Sequence, residues 1–231
     1  MNKSITQLAV AILISASLVA CGGDTTQGNG GPPMIVNEDG TSTFDSTQLG
    51  IALASLPIEA LNEAETASLA YLREEEKLAL DVYTQLDSLW GTSIKVFGNI
   101  SKSEATHTEA VRQLLLRYNL TDPSVNLGSG RFVNATLQGL YDSLVSQGTA
   151  SLIAALQVGA TIEELDLVDI EQGLQGIDNQ DIRLVYDNLA KGSRNHLRSF
   201  VKNLDNQGVT YSPIYLSAEA YTAIITTPTE R

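Results

Sequence analysis

Residues 62 to 90 place Leu69, Leu72, Glu76, Ala79, Leu80, Tyr83 and Leu86 on one stripe at helical spacing, and Glu76 is the only charge on it. An apolar stripe of that length needs a partner along most of its run. Asn62 offers the N-cap, with Glu65 three residues on to complete a capping box, and "WGTS" after Leu89 ends the helix. A second helix is expected from near Ser93 to "YNLTDP", where Pro123 is the breaker. Its stripe is Ile100, Glu104, His107, Val111, Leu114 and Tyr118, again apolar but for one acid and one imidazole.

Two more helices follow. Residues 150 to 175 read as the third, with a kink at "VGAT", and residues 181 to 208 as the fourth, with Ile182, Val185, Leu189, His196 and Phe200 on one face. Residues 121 to 149, too long for an unstructured loop, contain one short helix, "TLQGLYDSLV". The tail from Val209 packs on the rest without a legible element type. No strand pattern of any length appears, so the fold class is all-α: two antiparallel helix pairs joined by a long crossover into a four-helix bundle.

The first twenty residues have a basic start at Lys3 and the apolar run "LAVAILISASLVA", too short for a spanning helix and the right shape for a cleaved export signal. Small residues before Cys21 resemble a bacterial lipobox, which predicts lipidation there, attachment to a lipid bilayer and a cell-envelope address, with a periplasm-facing outer membrane lipoprotein as the expected form. Several acyl chains would hold such an anchor firmly where one would not. Cys21 is the only cysteine, which excludes a disulfide, a Cys-ligated zinc and thiol catalysis. The Gly-, Ser-, Thr- and Asn-rich stretch that follows reads as a flexible tether through residue 55, leaving residues 56 to 231 as the folded domain. The chain has 14 basic and 27 acidic residues and a formal net charge of −13, a balance that repels nucleic acid and draws cations.

In an antiparallel pair, residues equally far from the turn lie at one height. Glu76 and His107 are each about fifteen residues from the first turn, and Glu104 is one helical turn closer; Glu164, Ser193 and His196 lie at comparable distances from the second. All four helices thus bring a polar group to one level of an apolar interior. Several carboxylates buried together oppose their own ionisation by desolvation and repulsion, and a multivalent cation reverses that balance. Carboxylates with imidazoles and no thiolate suit iron or manganese, or zinc, better than copper or an iron–sulfur cluster.

The segments "EKLALDVY" and "EATH" resemble the first half of the ferritin and rubrerythrin di-iron pattern. More closely, "LREEEKLALDVY", "WGTSIKVFGNISKSEATHTEAVRQLL", "VGATIEELDLVDIEQGL" and "KGSRNHLRSFV" resemble the archaeal and bacterial ferritin-like family catalogued as domain of unknown function 2202, over about residues 62 to 216. The resemblance implies a ferritin-like bundle and a dinuclear metal centre, without an established activity. The expected ligands are Glu76, Glu104, His107, Glu164 and His196, with Glu163 as the substitute for Glu164. "ELDLVDI" matches the usual third-helix run through Glu164, whereas Glu163 aligns better with Leu167, Ile170 and Leu174. The fourth helix departs from the pattern, because Ser193 stands where a bridging carboxylate belongs.

Each assignment has a plainer alternative. Glu-x-x-His is often a surface pair, "TIEE" from Thr161 is a capping box, and His196 fits a core histidine bonded to a carbonyl. Tyr83 reads as a core tyrosine with its hydroxyl near the site, Glu74 and Glu75 as part of a solvated face with Arg73 and Lys77, and Arg194 as a counter-charge to the carboxylates. Two functions follow: an iron- or manganese-binding oxidase or peroxidase on an envelope lipoprotein, or a non-catalytic binding or scaffold module with a degenerate site.

Overall fold

A computed structural model describes residues 31 to 231. The expected export signal, Cys21 and the start of the tether lie outside the described residues. Among the described residues the chain forms two short strands, β1 (Met34–Val36) and β2 (Ser42–Phe44), and seven helices: α1 (Ser46–Ala54), α2 (Glu63–Trp90), α3 (Val96–Arg117), α4 (Ala135–Gly148), α5 (Leu152–Leu174), α6 (Gln180–Asn206) and α7 (Ala218–Ile225). The fold is all-α apart from that one hairpin.

Helices α2 and α3 pack as one pair and α5 and α6 as another, with α2 against α5 and α3 against α6. The capping box at Asn62 and Glu65 opens α2 as expected. Glu65 does more than cap, since its other oxygen accepts from the backbone N–H groups of Asp178 and Asn179 and ties the start of α2 to the turn between α5 and α6. The apolar stripes meet in one core: Leu69, Leu72, Tyr83 and Leu86 of α2, Ile100, Val111 and Leu114 of α3, and Val185, Leu189 and Phe200 of α6 are all buried. Each such side chain contributes about 1.5–3 kcal/mol relative to exposure.

Three expectations change. Helix α5 is unbroken from Leu152 to Leu174, and Gly159 serves a close approach rather than a kink, because a Cβ there would collide with the Phe200 ring. Thr161 does not cap; its hydroxyl bonds back to the carbonyl of Gln157 within the helix. The face expected to be solvated instead holds the crossover. Arg73 pairs with Asp122 at 3.1 Å, Glu74 accepts from the N–H groups of Val133 and Asn134, and Asp81, paired with Lys77, accepts from Gly130 N–H at 2.8 Å. Glu74, Glu75 and Lys77 are all buried.

The third change is at the N-terminal side. Residues 34 to 54, expected as tether, form the antiparallel hairpin and α1, which lie on α3. The turn carries Gly40 at φ +85°, a conformation that favours glycine, and Asp45 caps α1 by accepting from Thr47 and Gln48 N–H. Met34, Phe44, Leu49 and Leu53 are buried, so four apolar anchors hold a segment whose overall composition is polar.

Candidate metal centre

Four helices deliver five side chains to one place. Glu76 comes from α2, Glu104 and His107 from α3, Glu163 from α5 and His196 from α6, and each is at most 1% exposed. Glu104 stands between the imidazoles: one oxygen lies 2.9 Å from His196 Nδ1 and the other 3.1 Å from His107 Nδ1. Glu76 flanks His107 Nδ1 at 3.5 Å, and Glu163 flanks His196 Nδ1 at 3.5 Å. The rings stack at 5.3 Å between centroids and 16° between planes, with both Nδ1 atoms toward the carboxylates.

These groups crowd together without satisfying one another. Glu104 Oε1, His107 Nδ1, Glu163 Oε2 and His196 Nδ1 are buried with no directed hydrogen bond to any described residue, although each lies within 2.9–3.5 Å of an oppositely charged neighbour, and Glu76 Oε1 is buried without a partner as well. Buried polar atoms are nearly always partnered, so five orphans in one cluster call for an explanation. One donor atom each from Glu104, His107 and His196 fall within 4.8 Å of one another, a set able to hold a cation. Oxygen and imidazole donors in this number fit one or two such ions, with Glu104 offering an oxygen to each half.

The electrostatics agree. Burial pushes Glu76 up to about 7 against the pull of His107, and raises Glu163 against that of His196. Burial also opposes charge on the histidines, yet Glu104 and Glu76 hold His107 up at about 10, and Glu163 and Glu104 hold His196 at about 9. Burial alone would raise Glu104; the two imidazoles overcome it and hold that carboxyl well below its usual range. Both imidazoles thus hold a proton more tightly than a free histidine does, and a cation would have to displace it.

Glu164 is not in the cluster. Its carboxylate accepts from Tyr211 OH at 2.5 Å and from the N–H groups of Ile214, Tyr215 and Leu216 at 2.8–3.0 Å, fastening the segment before α7. Successive helical residues point about 100° apart, and the register of Leu167 and Ile170 selects Glu163 for the interior, the alternative that the sequence had kept open. Tyr83 does reach the site, donating to Glu163 Oε1 at 2.6 Å. The Ser193 hydroxyl bonds the carbonyl of Leu189 in its own helix, so α6 brings no carboxylate. Arg194 is no counter-charge here; it pairs with Glu230 at 2.6 Å.

Sequence reasoning missed three buried groups. Ser42 Oγ lies 2.7 Å from His107 Nε2 and 3.2 Å from His196 Nε2. The signal available was Asp39-Gly40 between "MIV" and "STF", the mark of a tight hairpin. Glu75 and Asp166 are also buried beside the cluster, and burial followed by neighbouring carboxylates raises both well above the usual acid range. Asp166 lies three residues after Glu163, on the same face, so its burial was foreseeable.

Comparison with known proteins places the chain. Residues 65–228 match the family described as an uncharacterized protein domain, DUF2202. The chain belongs to that family. It is 48% identical over 179 residues to the uncharacterized protein MJ0754 of Methanocaldococcus jannaschii, covering 78% of this chain and 96% of that one. It superimposes on the crystal structure of hypothetical protein MJ0754 from Methanococcus jannaschii DSM 2661 with a TM-score of 0.74 at 48% identity, over 76% of this chain and 99% of the other. This DUF2202 chain and its relative therefore share a fold through nearly the whole of MJ0754.

Proposed function

We propose that this DUF2202 protein is a ferritin-like metalloprotein in which Glu76, Glu104, His107, Glu163 and His196 would hold iron, or manganese, as a dinuclear centre. The observation that carries the reading is the convergence of five buried, unpartnered donor atoms from four helices. When bound, such a centre supplies one-electron chemistry toward oxygen or peroxide, as in an oxidase or peroxidase. The chain's own residues set the conditions. Tyr83 holds Glu163 through Oε1 and leaves Oε2 facing His196, while the apolar walls, Tyr83 and Phe200 among them, exclude bulk water. We further infer that the protein is an envelope lipoprotein anchored through Cys21; among the described residues no helix is long and apolar enough to cross a membrane.

The test is metal analysis of the purified protein after anaerobic Fe(II) loading. About two irons per chain, lost in Glu104→Ala and His107→Ala, is the expected result, with ferrous oxidation and peroxide consumption then choosing the reaction. One observation favours a second reading: Ser193 leaves α6 without a bridging carboxylate. A protein that takes up no metal and melts unchanged after loading is a scaffold or binding module on the same bundle.

A further inference from the structure

The hairpin lies outside the stretch that matches the family, residues 65–228, yet it reaches the centre of the cluster. It spans the two histidine-bearing helices. Toward α3, Ser42 N–H donates to Ser103 Oγ at 3.0 Å, Phe44 N–H donates to Thr106 Oγ1 at 3.1 Å, and the Phe44 ring meets His107 edge-on at 5.8 Å. Toward α6, Ser199 donates to the carbonyl of Asp39 at 3.0 Å. Ser42 itself is 0% exposed. Gly192 makes room for it, since a Cβ there would fall 2.7 Å from His107 Cε1 and 2.9 Å from Ser42 Oγ.

We propose that Ser42 is a positioning residue for both imidazoles: its one hydroxyl oxygen accepts from His107 Nε2–H and from His196 Nε2–H, which leaves both Nδ1 lone pairs free for the cations. A hydroxyl oxygen has two acceptor sites, so it accommodates both rings at once. A neutral imidazole that carries its proton on Nε2 has its lone pair on Nδ1, and here Nδ1 is the atom beside Glu76, Glu104 and Glu163. Had Ser42 donated to either ring instead, that ring's proton would sit on Nδ1 and block the ligand position. Metal-binding histidines are commonly held by such a partner on the other nitrogen. In this chain one serine serves two histidines from different helix pairs, and it arrives from a segment outside the bundle.

The inference rests on the metal-centre reading, and the test separates them. Zn(II) affinity is measured by competition with a chelator for the full chain, Ser42→Ala and Ser103→Ala, with helical content and melting temperature followed alongside. Ser103→Ala removes a hairpin anchor but keeps the hydroxyl between the rings. We expect Ser42→Ala to weaken Zn(II) by about 10–100-fold, and Ser103→Ala by less than about 3-fold. Nitrogen-15 spectra of histidine-labelled, Zn(II)-loaded wild type should show both rings protonated on Nε2 with slowly exchanging protons, and Ser42→Ala should lose that protection. Equal affinities for Ser42→Ala and wild type, or equal losses in the two variants, would each overturn the role of Ser42 while leaving the centre in place; a ring protonated on Nδ1 in the loaded wild type would overturn that role and also remove that histidine from the ligand set. Should Ser42→Ala fail to fold, the wild-type spectrum alone decides. Absence of Zn(II) binding by the wild type overturns the metal centre and this inference with it.

Discussion

Single carboxylates in this molecule fall into two kinds, told apart by what faces them. Glu164 meets three backbone N–H groups and a phenol, whereas Glu104 meets two imidazole nitrogens that make no directed bond to it. On the proposed reading the first kind acts on structure and the second on ligand binding, so the two should respond oppositely to the same change. Glu164→Gln, which weakens charge-assisted bonds, should lower urea stability by about 1–3 kcal/mol and leave metal stoichiometry unchanged. Glu104→Gln should weaken metal binding by more than about 100-fold, since even outer partners are worth 10–100-fold. Proton release makes a second test. His107 and His196, raised from 6.5 to about 10 and about 9, must each lose a proton to bind a cation, so affinity should climb as pH rises from 6 through 9. For the metal-free protein the sign is reversed: their stabilisation is complete below 6.5 and is lost as pH rises through about 9 and 10. Chelator competition and thermal melts across that range check both, and a flat affinity profile would refute the ligand role. At this scale the sequence showed Glu76, Glu104, His107 and His196, because each broke an apolar stripe. It left Glu163 and Glu164 undecided, since neighbouring acids share a segment and only the packed register separates them. Ser42 escaped because a hydroxyl in a polar stretch carries no charge or periodicity to betray it.

Elements were legible wherever a stripe ran for several turns. Helices α2, α3, α5 and α6 lie where the periodicity put them, and the short α4 within the crossover likewise. What the stripes did not tell was the fate of the opposite faces. Arg73, Glu74, Glu75 and Lys77 read as solvated because charged residues usually are, but here a long connection folds back over α2 and its backbone N–H groups find acceptors in Glu74 and Asp81. Removing those acceptors should free the crossover without opening the bundle. Glu74→Ala with Asp81→Ala is expected to raise hydrogen exchange in residues 124 to 134 by at least about 10-fold while the centres of α2 and α5 keep their protection; uniform loss across the chain would argue that the crossover is integral to the core.

For the whole molecule, the decisive arrangement is the division of the cluster between the two helix pairs. Glu76, Glu104 and His107 belong to α2 and α3, Glu163 and His196 to α5 and α6, and only the crossover joins these halves in sequence. A protease site inserted at the exposed Ser129 would cut that link. The two pieces should still elute together by size exclusion, because the shared core buries both pairs, and neither piece separated in denaturant should bind metal by itself. The reach of Glu104 to both imidazoles then has a consequence for such a nicked molecule. An ion seated there would act as a removable rivet added to the core that the two fragments share, so a chelator should lower the melting temperature of the cut protein further than that of the intact one.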